Sequence, residues 1–392
     1  MYTKDILRGT WMEIHLDCLK HNFKELKKKI TSKKTKFCAV IKADAYGHGA
    51  IQITQTLMKE GVKYFAVATL SEAIELREAG LVDIQILILG HTPKEKSHLL
   101  VQHNIIPTIY SYDQAENFSK TAQELNKQMT VHIKIDTGMS RLGFKTTEED
   151  RKIIKRIFKL SNINIEGIYT HFALADEQDK SFTLKQFKDY QSFCNTLEKE
   201  GYNIPIKHTS NSAALIDLPQ TQLDMVRLGI GLYGFNPNEV ITDTIDLKPI
   251  MSLKSSITHI KEVEKGTGVS YGHKYVTEKN STKIGTLPIG YADGLSRLLT
   301  NKLSVTFKDQ VVPVVGAICM DQCMVDITNT NINLNDEITI YSSRVTDINS
   351  VENIAEKLGT ISYEVLCMLS KRIPRVYLED NNVVHIRDDL LK

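Results

Sequence analysis

The chain lacks a strong net charge. Lysine and arginine total 49 against 47 aspartates and glutamates, a formal +2 over 392 residues, so the balance requires no polyanionic partner. The clusters Lys27-Lys28-Lys29 and Lys33-Lys34 read as a solvated helix end and loop, not as a nucleic-acid surface. A disulfide framework is also missing. The six cysteines are scattered, and Cys319 and Cys323 have neither a second pair nor a histidine cluster, which sets aside a metal site and suits a reducing compartment. No apolar leader is expected, since Met1-Tyr2-Thr3-Lys4-Asp5 reads as polar. The longest strongly apolar run, Ile84 to Leu89, is broken by Gln85 and is too short to span a bilayer. Internal repeats and low-complexity linkers are absent too. These absences together predict a soluble cytoplasmic protein without nucleic-acid or membrane partners.

What is present is ordinary globular material, 42% hydrophobic and 24% charged, in a chain long enough for two domains. Trp11-Met12-Glu13-Ile14-His15-Leu16 alternates as a half-buried strand does, and Asp17 can cap the helix after it. Strands are then expected at Phe37–Ile41, Tyr64–Ala68, Ile84–Leu89, Ile105–Ile109, Met129–Ile135, Ile165–Thr170, Ile206–His208 and Asp224–Val226. Helical patterns separate most of them. Eight such units over about 230 residues predict an α/β fold, a TIM-like (β/α)8 barrel, with an open doubly wound sheet as the alternative. After Pro237 come strands at Ile250–Ile260, Thr282–Pro288, Val311–Ile318, Cys323–Ile327 and Glu337–Tyr341, with one helix at Ser350–Leu358. The expected division is a barrel over 12–240 and a mostly β domain over 241–392, joined by the N-terminal strand within 1–16.

Barrel enzymes place their chemistry at the C-terminal strand ends. Lys42, Arg141, His171, Asn211 and Arg227 all fall there. Lys42 follows the apolar run Phe37-Cys38-Ala39-Val40-Ile41 within Val40-Ile41-Lys42-Ala43-Asp44-Ala45-Tyr46-Gly47-His48-Gly49, expected as strand, lysine, glycine-broken loop and helix. A lysine partly desolvated in such a loop can attack a carbonyl. Ser212 and Arg227-Leu228-Gly229-Ile230-Gly231 follow the last two strands, where barrels commonly hold phosphate. Lys134, one residue before a strand end, should face the barrel interior, where a cation needs a modification or an acid such as Asp136. Beyond the barrel, Val269-Ser270-Tyr271-Gly272-His273 and Cys319-Met320-Asp321 are glycine-flanked or polar loops.

Taken in order from Trp11 to Tyr377, these segments resemble the alanine racemases, fold-type III pyridoxal-phosphate enzymes, and the stretch around Lys42 is similar to their cofactor-lysine signature. The resemblance implies the following roles. Lys42 carries the pyridoxal phosphate. Tyr46, Ser212, Gly229, Ile230 and Tyr363 hold its phosphate. Arg227 faces the pyridine nitrogen, and His171 links Arg227 toward Tyr271, the second catalytic residue. Arg141 and the Met320-Asp321 loop position the substrate carboxylate. Lys134 matches a lysine carbamylated in many members. Homodimers share their active sites, each taking Tyr271 and the Met320 loop from the partner subunit. The activity implied is racemisation of alanine for peptidoglycan by two bases, Lys42 and Tyr271, on opposite faces of Cα. The alternatives are a racemase preferring another amino acid such as serine, or a non-catalytic carrier of the cofactor. A permanently cationic arginine on the ring nitrogen would keep that nitrogen unprotonated and weaken the ring as an electron sink. Two positions depart from the family pattern: Ala317 where an arginine is common, and Asp44 where asparagine is commoner.

Overall fold

A computed structural model of the chain describes residues 6–237 and 245–391; the expected boundary at 240/241 lies outside the described residues. The chain forms two compact units. One is built from Lys20–Ala45 and Ala50–Leu247, the other from Met1–Leu19, Tyr46–Gly49 and Lys248–Lys392. The first strand, β1 (Thr10–His15), belongs to the second of these.

The first unit is the barrel. Its strands are β2 (Lys36–Val40), β3 (Tyr64–Val67), β4 (Gln85–Ile88), β5 (Thr108–Ile109), β6 (Met129–Lys134), β7 (Ile163–Tyr169), β8 (Ile206–His208) and β9 (Met225–Leu228). Parallel ladders join β2 to β3, β3 to β4, and β5 through β8 in order. The ring closes through three further links: a parallel β2–β9 ladder, a Leu87–Ile106 bridge beside β5, and amide bonds from Asp224 to Lys207 O and from Arg227 to Ser210 O. The apolar runs that signalled these strands are buried on both faces, as parallel strands under a helical coat must be. Sequence-local caps fix where the covering helices start. Thr69, Ser111, Thr147 and Asn211 each accept an amide from the first turn of Leu70–Glu78, Tyr112–Glu124, Glu148–Ile157 and Ser212–Asp217.

The second unit is a ten-stranded sheet in which β1 lies between Met251–Ser256, antiparallel, and Arg375–Glu379, parallel. Trp11 packs with Ile6, Val376 and Leu378. The stretch expected as one strand, Ile250–Ile260, is two. Met251–Ser256 pairs with Glu337–Tyr341, and His259–Glu264 pairs with Ser281–Leu287. Between them the amides of Ile257 and Thr258 bond Asp336 O and Thr286 O, where the chain changes partners. Among the described residues, no helix is long and apolar enough to cross a membrane.

Candidate active site

Lys42 lies two residues past β2, half-buried. The glycine-broken loop expected after it is instead a left-handed turn of ordinary residues. Ala43, Asp44, Ala45 and Tyr46 have φ of 53°, 53°, 54° and 54°. Each L-residue in that conformation costs about 1–2 kcal/mol, so neighbours must impose it. Glu72 Oε1 accepts the Ala43 amide at 2.7 Å, Ile41 O accepts Ala45 at 2.9 Å, and Asp44 Oδ1 accepts Ala50 at 2.8 Å. The other oxygen of Glu72 accepts the amides of Ala68 and Thr69, completing the capping box of Leu70–Glu78. One carboxylate thus anchors both a helix start and the turn that carries Lys42. Nothing in the sequence around Lys42 pointed to Glu72; its only signal was Thr69-x-x-Glu72, a helix-start pattern.

Arg227, on β9, is buried. Its Nη1 donates to His208 Nδ1 at 2.8 Å, and its Nη2 donates to Thr170 O at 2.7 Å, Thr209 O at 3.0 Å and His171 Nδ1 at 3.3 Å. A guanidinium has no acceptor, so His171 Nδ1 must be the lone pair, and its Nε2 keeps a hydrogen to donate elsewhere. Burial, then the Arg227, Arg141, Lys134 and Lys42 charges, hold His171 well below the usual histidine range, so it is neutral near pH 7. Next to β9, Ser212 Oγ accepts the Gly229 amide at 3.1 Å and ties the loops after β8 and β9 together. Ile230 opens a short turn, Ile230–Tyr233. Asn211, a functional candidate from sequence, caps the helix that begins at Ser212.

Lys134 is buried, and its Nζ donates to Ile135 O at 2.8 Å and lies 5.5 Å from the Tyr169 ring centre. The pairing with Asp136 offered by sequence is not made. Asp136 Oδ1 accepts the amides of Gly138, Met139 and Ser140 and shapes the next loop instead. Burial above all, with the Arg227 and Arg141 charges, pulls the Lys134 amine down to about 7 against the opposing charge of Asp136. Arg141 itself is exposed.

The remaining candidates belong to the second unit. Tyr46 and Tyr363 approach with ring centres 6.0 Å apart. Burial, with Tyr363 and Cys367 nearby, raises the Tyr46 hydroxyl. The backbone beyond Tyr46 is held by Arg375 Nε on Gly47 O and Tyr377 OH on His48 O. Gly49 is obligatory there, because φ is +97° and a Cβ would lie 1.8 Å from the Tyr377 hydroxyl. Tyr271 is 70% exposed and Met320 52% exposed. Ser270 joins their loops by donating to Ala317 O at 2.6 Å and lying 3.3 Å from Cys319 Sγ. Asp321 is paired with Arg372 at 2.8 Å, and Arg372 also approaches Asp293. Neither Arg372 nor Ser270 was singled out by sequence, since each acts through a partner far along the chain.

These groups fit a phosphorylated carbonyl cofactor: a lysine on a held turn, a hydroxyl and backbone at two adjoining strand ends, and a buried cation for a ring nitrogen. Residues 14–237 match the family described as alanine racemase, N-terminal domain, and residues 250–377 match alanine racemase, C-terminal domain. The alanine racemase of Methanococcus maripaludis is 48% identical over 370 residues, 94% of this chain and 98% of that protein. That of Clostridium tetani is 47% identical over 385 residues, 97% and 98% of the two chains. A solved alanine racemase of Clostridium difficile 630 superposes with a TM-score of 0.94 at 46% identity, covering 98% of this chain and all of that one.

Proposed function

The chain belongs to the alanine racemase family, and from that premise we propose how its own residues interconvert L-alanine and D-alanine. The observation that carries the reading is Arg227, a buried guanidinium at a strand end whose partners are all neutral acceptors. Bound pyridoxal phosphate supplies an electron-withdrawing ring that acidifies the substrate Cα–H. Lys42 anchors that cofactor and serves one face of Cα. Ser212, Gly229 and Ile230, with Tyr46 and Tyr363, receive its phosphate. Arg227 donates to the ring nitrogen without protonating it, which restrains the electron sink and disfavours side reactions such as transamination.

Tyr271 serves the opposite face, as a residue of the partner subunit in a homodimer. A phenol is a weak acid, so a phenolate base needs support from a neighbouring donor. The Nε2 hydrogen of His171, left free to donate by the Arg227 contact, is suited to that. Arg141 and the Met320-Asp321 loop position the substrate carboxylate, and D-alanine for peptidoglycan is the product we assign. The test is exchange of the Cα proton with solvent deuterium on L- and D-alanine. Wild type exchanges and racemises both. Lys42→Ala abolishes both, and Tyr271→Phe mainly damages exchange from the L-enantiomer. Equal loss from both enantiomers in Tyr271→Phe would remove that residue from the two-base scheme.

A further inference from the structure

The barrel interior contains a polar chain that the scheme above leaves unused. Arg227 is a buried cation, yet among the described residues it forms no ion pair, and such a charge is costly without a compensating one. The hydrogen bonds lead from it to a carboxylate. His208, whose Nδ1 accepts from Arg227, has its Nε2 2.8 Å from His132 Nδ1, and His132 Nε2 is 3.1 Å from Glu166 Oε2. The tautomers follow from the ends. A guanidinium only donates, so His208 Nδ1 accepts and the His208 hydrogen is on Nε2. That hydrogen makes His132 Nδ1 an acceptor, and His132 Nε2–H then donates to the carboxylate. Each link has one hydrogen and one lone pair, with both imidazoles neutral. Burial depresses both histidines, which agrees with that charge state.

The fold makes room for this chain. A Cβ on Gly167 would lie 2.6 Å from His132 Nδ1 and Cε1, so only glycine leaves space for the ring. The β6–β7 register shifts between Val131 and His132. The Tyr169 ring stacks on His208, centres 4.7 Å apart at 10°. The outer end lies near the N-terminal strand ends, where the hydroxyl of Tyr64, the first residue of β3, donates to Glu166 Oε1 at 3.1 Å. Burial pushes the Glu166 carboxyl up, but the His132 and Tyr64 bonds and the Lys36 charge outweigh it, so it stays ionised.

We propose that Glu166 is the counter-charge of Arg227, acting through His132 and His208 as a positioning residue for the guanidinium. The carboxylate polarises both imidazoles and makes His208 Nδ1 a stronger acceptor, which fixes the plane of Arg227. Carboxylates orient metal-bound histidines in the same manner; here a guanidinium stands in the metal's place. The catalytic consequence rests on Arg227 being the ring-nitrogen partner, whereas the chain itself does not.

The test uses full-length protein with 15N-labelled histidine, with and without pyridoxal phosphate, as wild type, Glu166→Gln and Tyr64→Phe. In wild type at pH 7, His132 and His208 should both be neutral with hydrogen on Nε2 and a lone pair on Nδ1. Glu166→Gln keeps an acceptor but loses the charge, so the ring nitrogens of His208, two links away, should shift; Tyr64→Phe keeps the charge and should shift them less. An Nδ1–H or imidazolium form of either histidine, or His208 signals unmoved in Glu166→Gln, overturns the proposal. In the holoenzyme, Glu166→Gln should displace the visible cofactor band and lower kcat about fivefold, the difference between a charge-assisted and a neutral bond, with KM for alanine within about twofold. A wild-type band and kcat in that variant overturn the positioning role. An inactive wild type would instead refute the racemase reading and leave the nitrogen measurement intact.

Discussion

Lys42 and Lys134 show the same residue type in two different settings at the ends of barrel strands. Lys134 closes β6 and is enclosed, while Lys42 lies past β2 and is only half-buried. Enclosure holds the Lys134 amine down to about 7 in the folded chain, against the usual 10.5. Between those values the unfolded chain binds a proton that the folded chain does not, so this site makes stability rise with pH across that window. Below about 7 both states are protonated, and the folded one bears the full cost of a desolvated cation beside Arg227. Lys134→Met should therefore melt higher than wild type at pH 6, by roughly 2–5 kcal/mol, and the advantage should shrink as pH approaches 10. Thermal melts across that range check it, and a lower midpoint for the variant at pH 6 would contradict it. A lysine uncharged just above pH 7 is also the form that reacts with carbon dioxide, the modification that the family resemblance implied for this position.

Among the elements, the turn Ala43–Tyr46 departs furthest from what its residues prefer. Alanine, aspartate and tyrosine read as neither left-handed nor strained, and their enforcing partner Glu72 is 29 residues ahead of Ala43. Periodicity sees neighbours on one element, so the turn was illegible, although the strand and helix on either side were plain. The barrel strands were readable because parallel strands bury both faces and leave continuous apolar runs. Even there, Ile105–Ile109 shrinks to Thr108–Ile109, because Pro107 has no amide to offer a ladder. Lys134 and Arg227 could be picked out by their places near strand ends. The His208–His132–Glu166 chain could not, since its members come from three strands and meet only when the barrel closes.

Two substitutions probe this turn. Ala43 is exposed, and glycine there relieves about 1–2 kcal/mol of left-handed strain while adding about 0.5–1 kcal/mol of unfolded-chain entropy. Ala43→Gly should thus be neutral to slightly stabilising in a thermal melt yet lower kcat, as the lysine loses a held support. Glu72→Gln can satisfy the Ala43 amide or the helix cap but not both without turning its own N–H groups on an amide. It should lose about 1–3 kcal/mol and bind pyridoxal phosphate more weakly in an absorbance titration. Unaltered stability and cofactor affinity would remove Glu72 from the support of Lys42.

For the molecule as a whole, the exposure of Tyr271 on its own chain leads to an assembly test. If Tyr271 serves the partner's site, a mixed dimer of Lys42→Ala and Tyr271→Phe subunits holds one site with both lesions and one with none. Random re-association of the two racemisation-deficient variants, assayed from L-alanine, should then restore about a quarter of wild-type activity, because half of the dimers are mixed and half of their sites are intact. No recovery would place Tyr271 in its own subunit's site.

The position of β1 has a separate consequence, in the order of synthesis. Glu13 pairs with both Ser252 and Val376, so this strand has its parallel neighbour made more than 360 residues later. At about 5–20 residues per second that interval is roughly 20–70 s. All eight barrel strands are made before it ends. Throughout it the Trp11 face lacks Val376 and Leu378, the residues that cover it. A nascent chain stalled after Leu369 would therefore present a complete set of barrel strands together with an uncovered N-terminal strand, a marker by which a chaperone or protease could distinguish unfinished chains from finished ones.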